Sequence, residues 1–274
     1  MNGTLSLGIR RGLIEQGTLL RDRKEAIGQL VGGVGVFLLL ALWMGGNPAG
    51  GGVSMATFMA VGFTAFIVFS TGVNSLPLLI AADREEGALL RLRALPRGIP
   101  VYVTGRAVST LCQILLQVAV MLLAGVLVAG VRPPASPQAW LTFGWALVLG
   151  ALCVVPIGAA LGAMLSNPKS AALVLGLPSM VLMLISGVMI PVRMLPEVVG
   201  RIAQVFPLYW EGHALRAAFL PQSAAAAELG GTWQLGTAAT VMGVWTIAGM
   251  VLAPWLLLKV TREESGTRQA ERRI

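Results

Sequence analysis

The sequence predicts an all-α polytopic membrane protein. Three observations carry this reading. Of the 274 residues, 56% are hydrophobic and 12% are charged, about half the ~25% charged share of a soluble domain. The apolar runs exceed the ~20 residues a helix needs to cross a bilayer. They are also continuous rather than alternating, which argues against a β-barrel. The pattern gives a single membrane domain over 1–274. It has six transmembrane helices, an N-terminal amphipathic surface helix, a short helix in a charged cytoplasmic loop, and short re-entrant outer helices.

Residues 1–25 contain Arg10, Arg11, Arg21, Arg23 and Lys24, with Leu5, Ile9, Leu13, Leu20 and Ile27 at partly helical spacing. This reads as an amphipathic helix on the cytoplasmic membrane surface. No cleavable signal peptide is visible, since no short apolar core ends at a small-residue site. The first span covers 27–44, where Gly28, Gly32 and Gly35 offer close packing to a neighbouring helix. A turn at 45–52 leads to a second span at 53–81, which carries Phe58, Phe63, Phe66, Phe69 and Asn74. The third span is 101–130, the fourth 138–165 with Pro156 inside it, and the fifth 171–191 with Met180, Met183 and Met189. The sixth is 233–258, and residues 259–274 form a cytoplasmic tail.

The organising stretch is the charged loop at 82–100. No Asp, Glu, Lys or Arg occurs in residues 26–81 or 107–131 on either side of it, so it sits in water at a membrane face. Its middle suits a short helix, with Glu85 and Glu86 in the first turn and Arg91 and Arg93 in the last, matching the helix dipole. Pro96 closes that helix, and Gly98 and Pro100 keep it from restarting before the next span. Leu89, Leu90, Leu92 and Leu95 give it an apolar side. An ordinary charged loop explains the arginines but not the leucines, which call for another protein surface.

Residues 192–230 form an outer segment. Leu195, Val198, Val199, Ile202 and Phe206 fall on one helical face, with Arg193, Glu197 and Arg201 opposite. Leu208, Gly212, Leu215 and Phe219 repeat the pattern beside Arg216. Each piece is too short to cross, so both read as re-entrant or interfacial helices. With both termini inside, sixteen of the 20 Lys and Arg residues face the cytoplasm. The outer ones are Arg132, Arg193, Arg201 and Arg216. This asymmetry supports six spans with cytoplasmic ends.

Much chemistry is absent. The single histidine, His213, stands two residues from Glu211 and reads as a surface residue rather than a catalyst. The spans hold no ionisable group of the kind proton- or sodium-driven transporters keep, Arg106 near a cytoplasmic end coming closest. Cys112 and Cys153 lie in apolar spans and support neither a disulfide framework nor a metal site. No Gly-x-x-x-x-Gly-Lys-Ser/Thr motif occurs, so energy for any work comes from another polypeptide.

Two segments carry a resemblance. One is Asp83-Arg84-Glu85-Glu86-Gly87, then Leu89-Leu90-Arg91 and Ala94-Leu95-Pro96. The other is Ser186-Gly187-Val188-Met189-Ile190-Pro191, then Leu195-Pro196, Phe206-Pro207-Leu208 and Ala214-Leu215-Arg216. Their order and spacing resemble the permease subunit of ATP-binding cassette exporters of the ABC-2 type. Pro100 has no place in that family pattern.

The resemblance implies a coupling helix in the first cytoplasmic loop. Asp83, Arg84, Glu85, Glu86 and Gly87 would contact an ATPase, together with Leu89, Leu90, Leu92, Arg93 and Pro96. It implies a complex of two permease subunits, as homodimer or heterodimer, with an ATP-binding cassette ATPase dimer. This chain then binds no cofactor itself, ATP and Mg being held by the partner. Membrane lipid is the other partner, and nucleic acid is not one. The second and fifth spans would line the substrate path, with Phe63, Phe66, Asn74 and Met183 as candidates. Lipid-facing or helix-packing roles explain the phenylalanines equally well. Gly187, Pro191, Pro196, Pro207 and Arg216 would shape the outer segment.

Two functional readings stay open on the sequence. One is an export permease for a hydrophobic or amphipathic compound (drug-like, lipid-linked or saccharide), powered by a separate ATPase. The other is a membrane scaffold or assembly factor without a transport path. The leucines of the charged loop favour the first. Single-cysteine labelling tests the topology in a chain lacking Cys112 and Cys153. Positions 90 and 268 are expected to react from the cytoplasmic side alone, and positions 135 and 222 from the outer side alone. Cytoplasmic labelling of position 135 contradicts the six-span order.

Overall fold

The computed structural model describes residues 2–165 and 167–271; the side chains of residues 2, 25, 29–31, 89, 90, 93, 227, 254 and 257–271 lie outside the described set. Helix α1 (Asn2–Arg21) bends at Asp22 into α2 (Arg23–Met44). The Asp22 carboxylate accepts from the Lys24 backbone N–H at 2.9 Å, which caps α2. A small antiparallel hairpin follows, β1 (Pro48–Gly50) and β2 (Val53–Ser54). The second span, Met55–Glu85, is α3 (Met55–Ser70), a π-helical turn at Thr71–Ser75, and α4 (Leu76–Glu85). Then come α5 (Ala88–Arg93), α6 (Gly98–Ala129), α7 (Pro137–Met164) and α8 (Pro168–Ile185). The outer segment holds α9 (Glu197–Ala203) and α10 (Pro207–Phe219), and α11 (Leu235–Glu271) closes the chain.

Among the described residues, five helices are long and apolar enough to cross a membrane: Met55–Glu85, Gly98–Ala129, Pro137–Met164, Pro168–Ile185 and Leu235–Ala253. A shorter apolar helix, Gly32–Met44, ends α2. The helix starts are written locally. Ser54, Ser136 and Asn167 accept backbone N–H bonds at the starts of α3, α7 and α8, and proline opens α7 and α8. Gly130, at φ 63°, ends α6 in the left-handed conformation.

Helix α7 is the strut of the bundle, packing on α11, α10, α4, α3 and the π turn. Glycines make its contacts close. A Cβ on Gly158 would lie 1.8 Å from the Gly72 carbonyl oxygen, and one on Gly162 would lie 2.9 Å from Ile80. In the first span, Gly28 and Gly32 have nothing within 4 Å, and Gly33 contacts Ile67.

The structure corrects two sequence expectations. In the loop, Glu85 ends α4 and Glu86 caps it, so neither lies in the first turn of α5, which carries no acid. Gly87 separates the helices at φ 70°. Gly98 and Pro100 do not block the next helix. They open it, since α6 starts at Gly98, after Arg97 at φ 62°. A proline in a first turn gives up an N–H that has no partner there.

In the outer segment, α9 buries Gly200 and Ala203, whereas Val198 and Ile202 are exposed. Helical periodicity finds an apolar face but does not say whether protein or lipid covers it. Helix α10 shows no one-sided pattern: every residue from Pro207 to Arg216 is buried.

Helix α1 docks on α6 through glycines. A Cβ on Gly8 would lie 2.6 Å from Thr104, and one on Gly12 would lie 2.5 Å from the Gly105 carbonyl. Leu5, Leu13 and Ile14 stay exposed, which leaves an apolar surface as an interfacial helix requires.

Replacing Gly158 with alanine forces the Gly72 carbonyl away, whereas Gly144 has nothing within 4 Å. We expect Gly158→Ala to lose roughly 1–3 kcal/mol or to fail to fold, and Gly144→Ala to match the parent. Thermal unfolding in detergent with a size-exclusion readout checks both.

Candidate functional site

Two clusters of charge sit at the two ends of the bundle. The first joins α1, α4 and α6. Arg106 on α6 pairs with Glu15 of α1, and its Nη2 donates to Oδ2 of Asp83 on α4 at 2.5 Å. Its Nε donates to the same oxygen at 3.1 Å. One turn earlier, the Tyr102 hydroxyl donates to Asp83 Oδ2 at 2.7 Å. Arg11 lies over the Tyr102 ring at 5.1 Å. Burial raises the Glu15 carboxyl, with Arg106 and Arg11 opposing. Beside this cluster, Arg84 donates to the Ala163 and Leu165 carbonyls at 2.9 and 3.2 Å, capping the C-terminal end of α7.

The ten loop residues thus divide. Asp83 and Arg84 are committed within the chain. Glu85, Glu86 and Pro96 are exposed, and so is Leu95 beside them. Leu92 is half-buried, and its carbonyl would meet a Cβ on Gly98 at 2.0 Å, so the turn 92–98 is tight. Gly87 supplies the left-handed junction. The side chains of Leu89, Leu90 and Arg93 lie outside the described residues.

The second cluster lies under the outer segment. Gly187, at φ 75°, ends the fifth span, and its carbonyl accepts from Arg216 Nη1 at 3.0 Å. Arg216 Nε donates to Glu228 Oε1 at 2.5 Å, and His213 Nδ1 lies 3.0 Å from Glu228 Oε2. The Gln234 backbone N–H donates to His213 Nε2 at 2.9 Å. Because Nε2 accepts, Nδ1 is the nitrogen that donates to Glu228. Burial pushes the Glu228 carboxyl up, but Arg216 and His213 overcome it and hold it at about 2. Phe58 lies 4.9 Å under the Arg216 guanidinium.

His213 is therefore fully buried, contrary to its reading as a surface residue. Pro207 is buried at the start of α10, Pro191 is buried before the 3-10 turn Val192–Met194, and Pro196 is exposed at the start of α9. The sequence reading gave no role to Glu15 or Glu228 and named Glu211 only as a neighbour of His213. A lone arginine at the edge of an apolar span, Arg106, needs a counter-ion, and that was the one signal the sequence held for a partner such as Glu15.

The four substrate-path candidates form two pairs. Phe63 is buried against Phe37, with Phe66 at 6.3 Å. Phe66 also borders a cavity of about 130 Å³ beside the π turn, lined by Gly32, Ser70 and Gln117 among others. Asn74, eight residues beyond Phe66, lies about 12 Å further along the helix axis. It accepts from Ser179 of α8 at 2.8 Å. Met183, one turn beyond Ser179, is half-buried.

These features define a class: a mainly helical, multi-pass membrane domain with a short helix after its second span and a short buried helix, α10, packed against α7. Comparison with known families makes the assignment particular. The model of the family described as ABC-2 type transporter matches residues 13–220, and the chain belongs to that family. It is 26% identical over 151 residues to a Bacillus subtilis (strain 168) protein named "Putative transport permease YvfS". The match spans 54% of this chain and 60% of that relative.

The depressed Glu228 carboxyl makes the outer cluster pH-sensitive with a definite sign. Its contribution is complete above the ordinary carboxylate value of 4.5 and is lost as pH falls toward about 2. Glu228→Gln is expected to cost roughly 3 kcal/mol near neutral pH and to flatten the loss between pH 4.5 and 2. Thermal midpoints of the two proteins across that range check this.

Proposed function

We propose that the chain is the transmembrane permease subunit of an ATP-driven exporter. It moves a hydrophobic or amphipathic substrate outward across the cytoplasmic membrane, with both termini cytoplasmic. ATP and Mg are held by a separate ATP-binding cassette ATPase dimer, and a second permease subunit completes the complex.

The observation that carries this reading is the construction of the first loop. Glu85, Glu86, Leu95 and Pro96 are exposed, while Asp83 and Arg84 on the same loop are tied to α6 and α7. A surface that receives force needs an exposed contact on a base anchored to the spans. Apolar Leu95 among charges fits a partner protein better than water. Family membership supports the same assignment. Aromatic and methionine-rich helix surfaces suit bulky apolar cargo.

The test uses exposed positions, so that folding is left intact. Glu86→Ala with Leu95→Ala removes one charge and one apolar contact, neither buried in the chain. The double variant is expected to reach the membrane at normal abundance. It is also expected to lose at least tenfold in affinity for the cognate ATPase, roughly 1.4 kcal/mol, and to lose substrate-stimulated ATP turnover. Co-purification and ATP hydrolysis after reconstitution provide the measurement. Full association and full transport in the variant would mean that this loop is not the contact.

A further inference from the structure

Glu211 stands apart from the outer cluster, although it is on the same helix. It is 1% exposed, and its Oε1 has no hydrogen-bond partner. It faces α7, where a Cβ on Gly150 would lie 2.2 Å from Oε1. The carboxyl thus occupies the space that glycine leaves. Cys153, three residues further along α7, is fully buried and lies within the electrostatic reach of Glu211.

No cation is offered to this carboxyl. Helix α7 carries one titratable group, Cys153, and α3 and α11 as far as Ala253 carry none. On α10 itself, Tyr209, His213 and Arg216 all turn to Glu228. An ionised carboxylate without partner or water costs several kcal/mol in such a place. Burial accordingly pushes the Glu211 carboxyl well above the ordinary range.

Glutamine would fill the same volume without this liability. What a carboxyl adds is the ability to lose a proton. We propose that Glu211 is a proton-binding site of the membrane domain. Its carboxyl holds the proton while α10 is seated against α7, and releases it to water when that contact opens. The step is an O–H ionisation, with the proton passing to water and the carboxylate becoming hydrated. The seated state binds the proton more tightly, so low pH favours it. That advantage declines as pH rises above the ordinary carboxylate value of 4.5.

Cys153 is a built-in reporter of this contact. The chain is reconstituted in lipid nanodiscs with Cys112→Ser, leaving Cys153 as its one thiol. Alkylation by N-ethylmaleimide is timed between pH 6 and 8.5, with Glu211 and with Glu211→Gln. Dividing the two rates cancels the intrinsic pH dependence of the thiol and of every group common to both proteins. The ratio of wild type to variant is expected to rise with pH, by up to about tenfold per pH unit for one proton. A nearby carboxylate would by itself slow thiolate formation, so simple electrostatics would move the ratio the other way.

The thermal midpoint of Glu211→Gln should also exceed that of wild type at pH 8, with the gap closing toward pH 5. Glu211→Leu, likewise uncharged, serves in its place if the glutamine variant does not fold. A ratio that is level or falls with pH, or a midpoint gap that ignores pH, overturns the proposal. Neither readout needs the ATPase or the substrate, so failure here leaves the permease assignment standing.

Discussion

The tightest constraint in the molecule is backbone against backbone. In a bilayer no hydrophobic force drives helices together, because lipid tails are as apolar as leucine. Association then rests on close packing, and the closest packing needs glycine. Gly158 of α7 meets the Gly72 carbonyl within the π turn. Gly162 meets Pro77 and Ile80 one turn on, and Gly150 receives Glu211 at the other end of the contact. From Gly150 to Gly162 is about 18 Å of helix. Over that length one helix fixes both the second span and α10. The π turn coincides with the closest approach, where an extra residue per turn widens the helix locally.

The polar groups answer a second constraint. In a medium with little water, every ion must find its partner within the chain. Arg106 and Arg216 solve this in parallel ways. Each sits at one end of the bundle and each joins segments distant in sequence. Arg106 gathers Glu15 and Asp83, and Arg216 gathers Glu228 and the Gly187 carbonyl. Buried pairs of this kind add little net stability over apolar packing, but losing one partner leaves an uncompensated charge. They therefore act more as specifications of geometry than as sources of stability. Arg106 fixes where α1 lies on α6, and Arg216 fixes where the outer segment closes over the fifth span.

The spans were legible because their signal is compositional: long runs without charge need no knowledge of neighbours. Gly98 and Pro100 were read with the right elements and the wrong role. The same residues stop one helix or start the next, and only the position of Gly98 against Leu92 decides between them. The face of α9 was visible as a period of 3.6, but its occupant was not, because lipid and protein demand the same residues. The buried charges of α10 were hidden for a different reason. A histidine beside a glutamate reads as wet, and burial becomes affordable only through Glu228, fifteen residues from His213 and outside the helix. Long-range pairing of that kind has no local sequence signal.

The two ends of the bundle are joined by one body. Arg84 at the base of the charged loop donates to the last carbonyls of α7, and the Gly150 end of α7 seats α10. A displacement of the loop base reaches α7 directly, because a guanidinium bonded to two carbonyls leaves little room to slip. A close-packed glycine contact transmits such a displacement, since packed interiors are nearly incompressible. At Gly150 the contact changes character: glycine there meets a carboxyl rather than backbone. Along α7, then, the joint to the second span is rigid by sterics. The joint to α10 is the one along this helix whose strength depends on the charge state of a side chain.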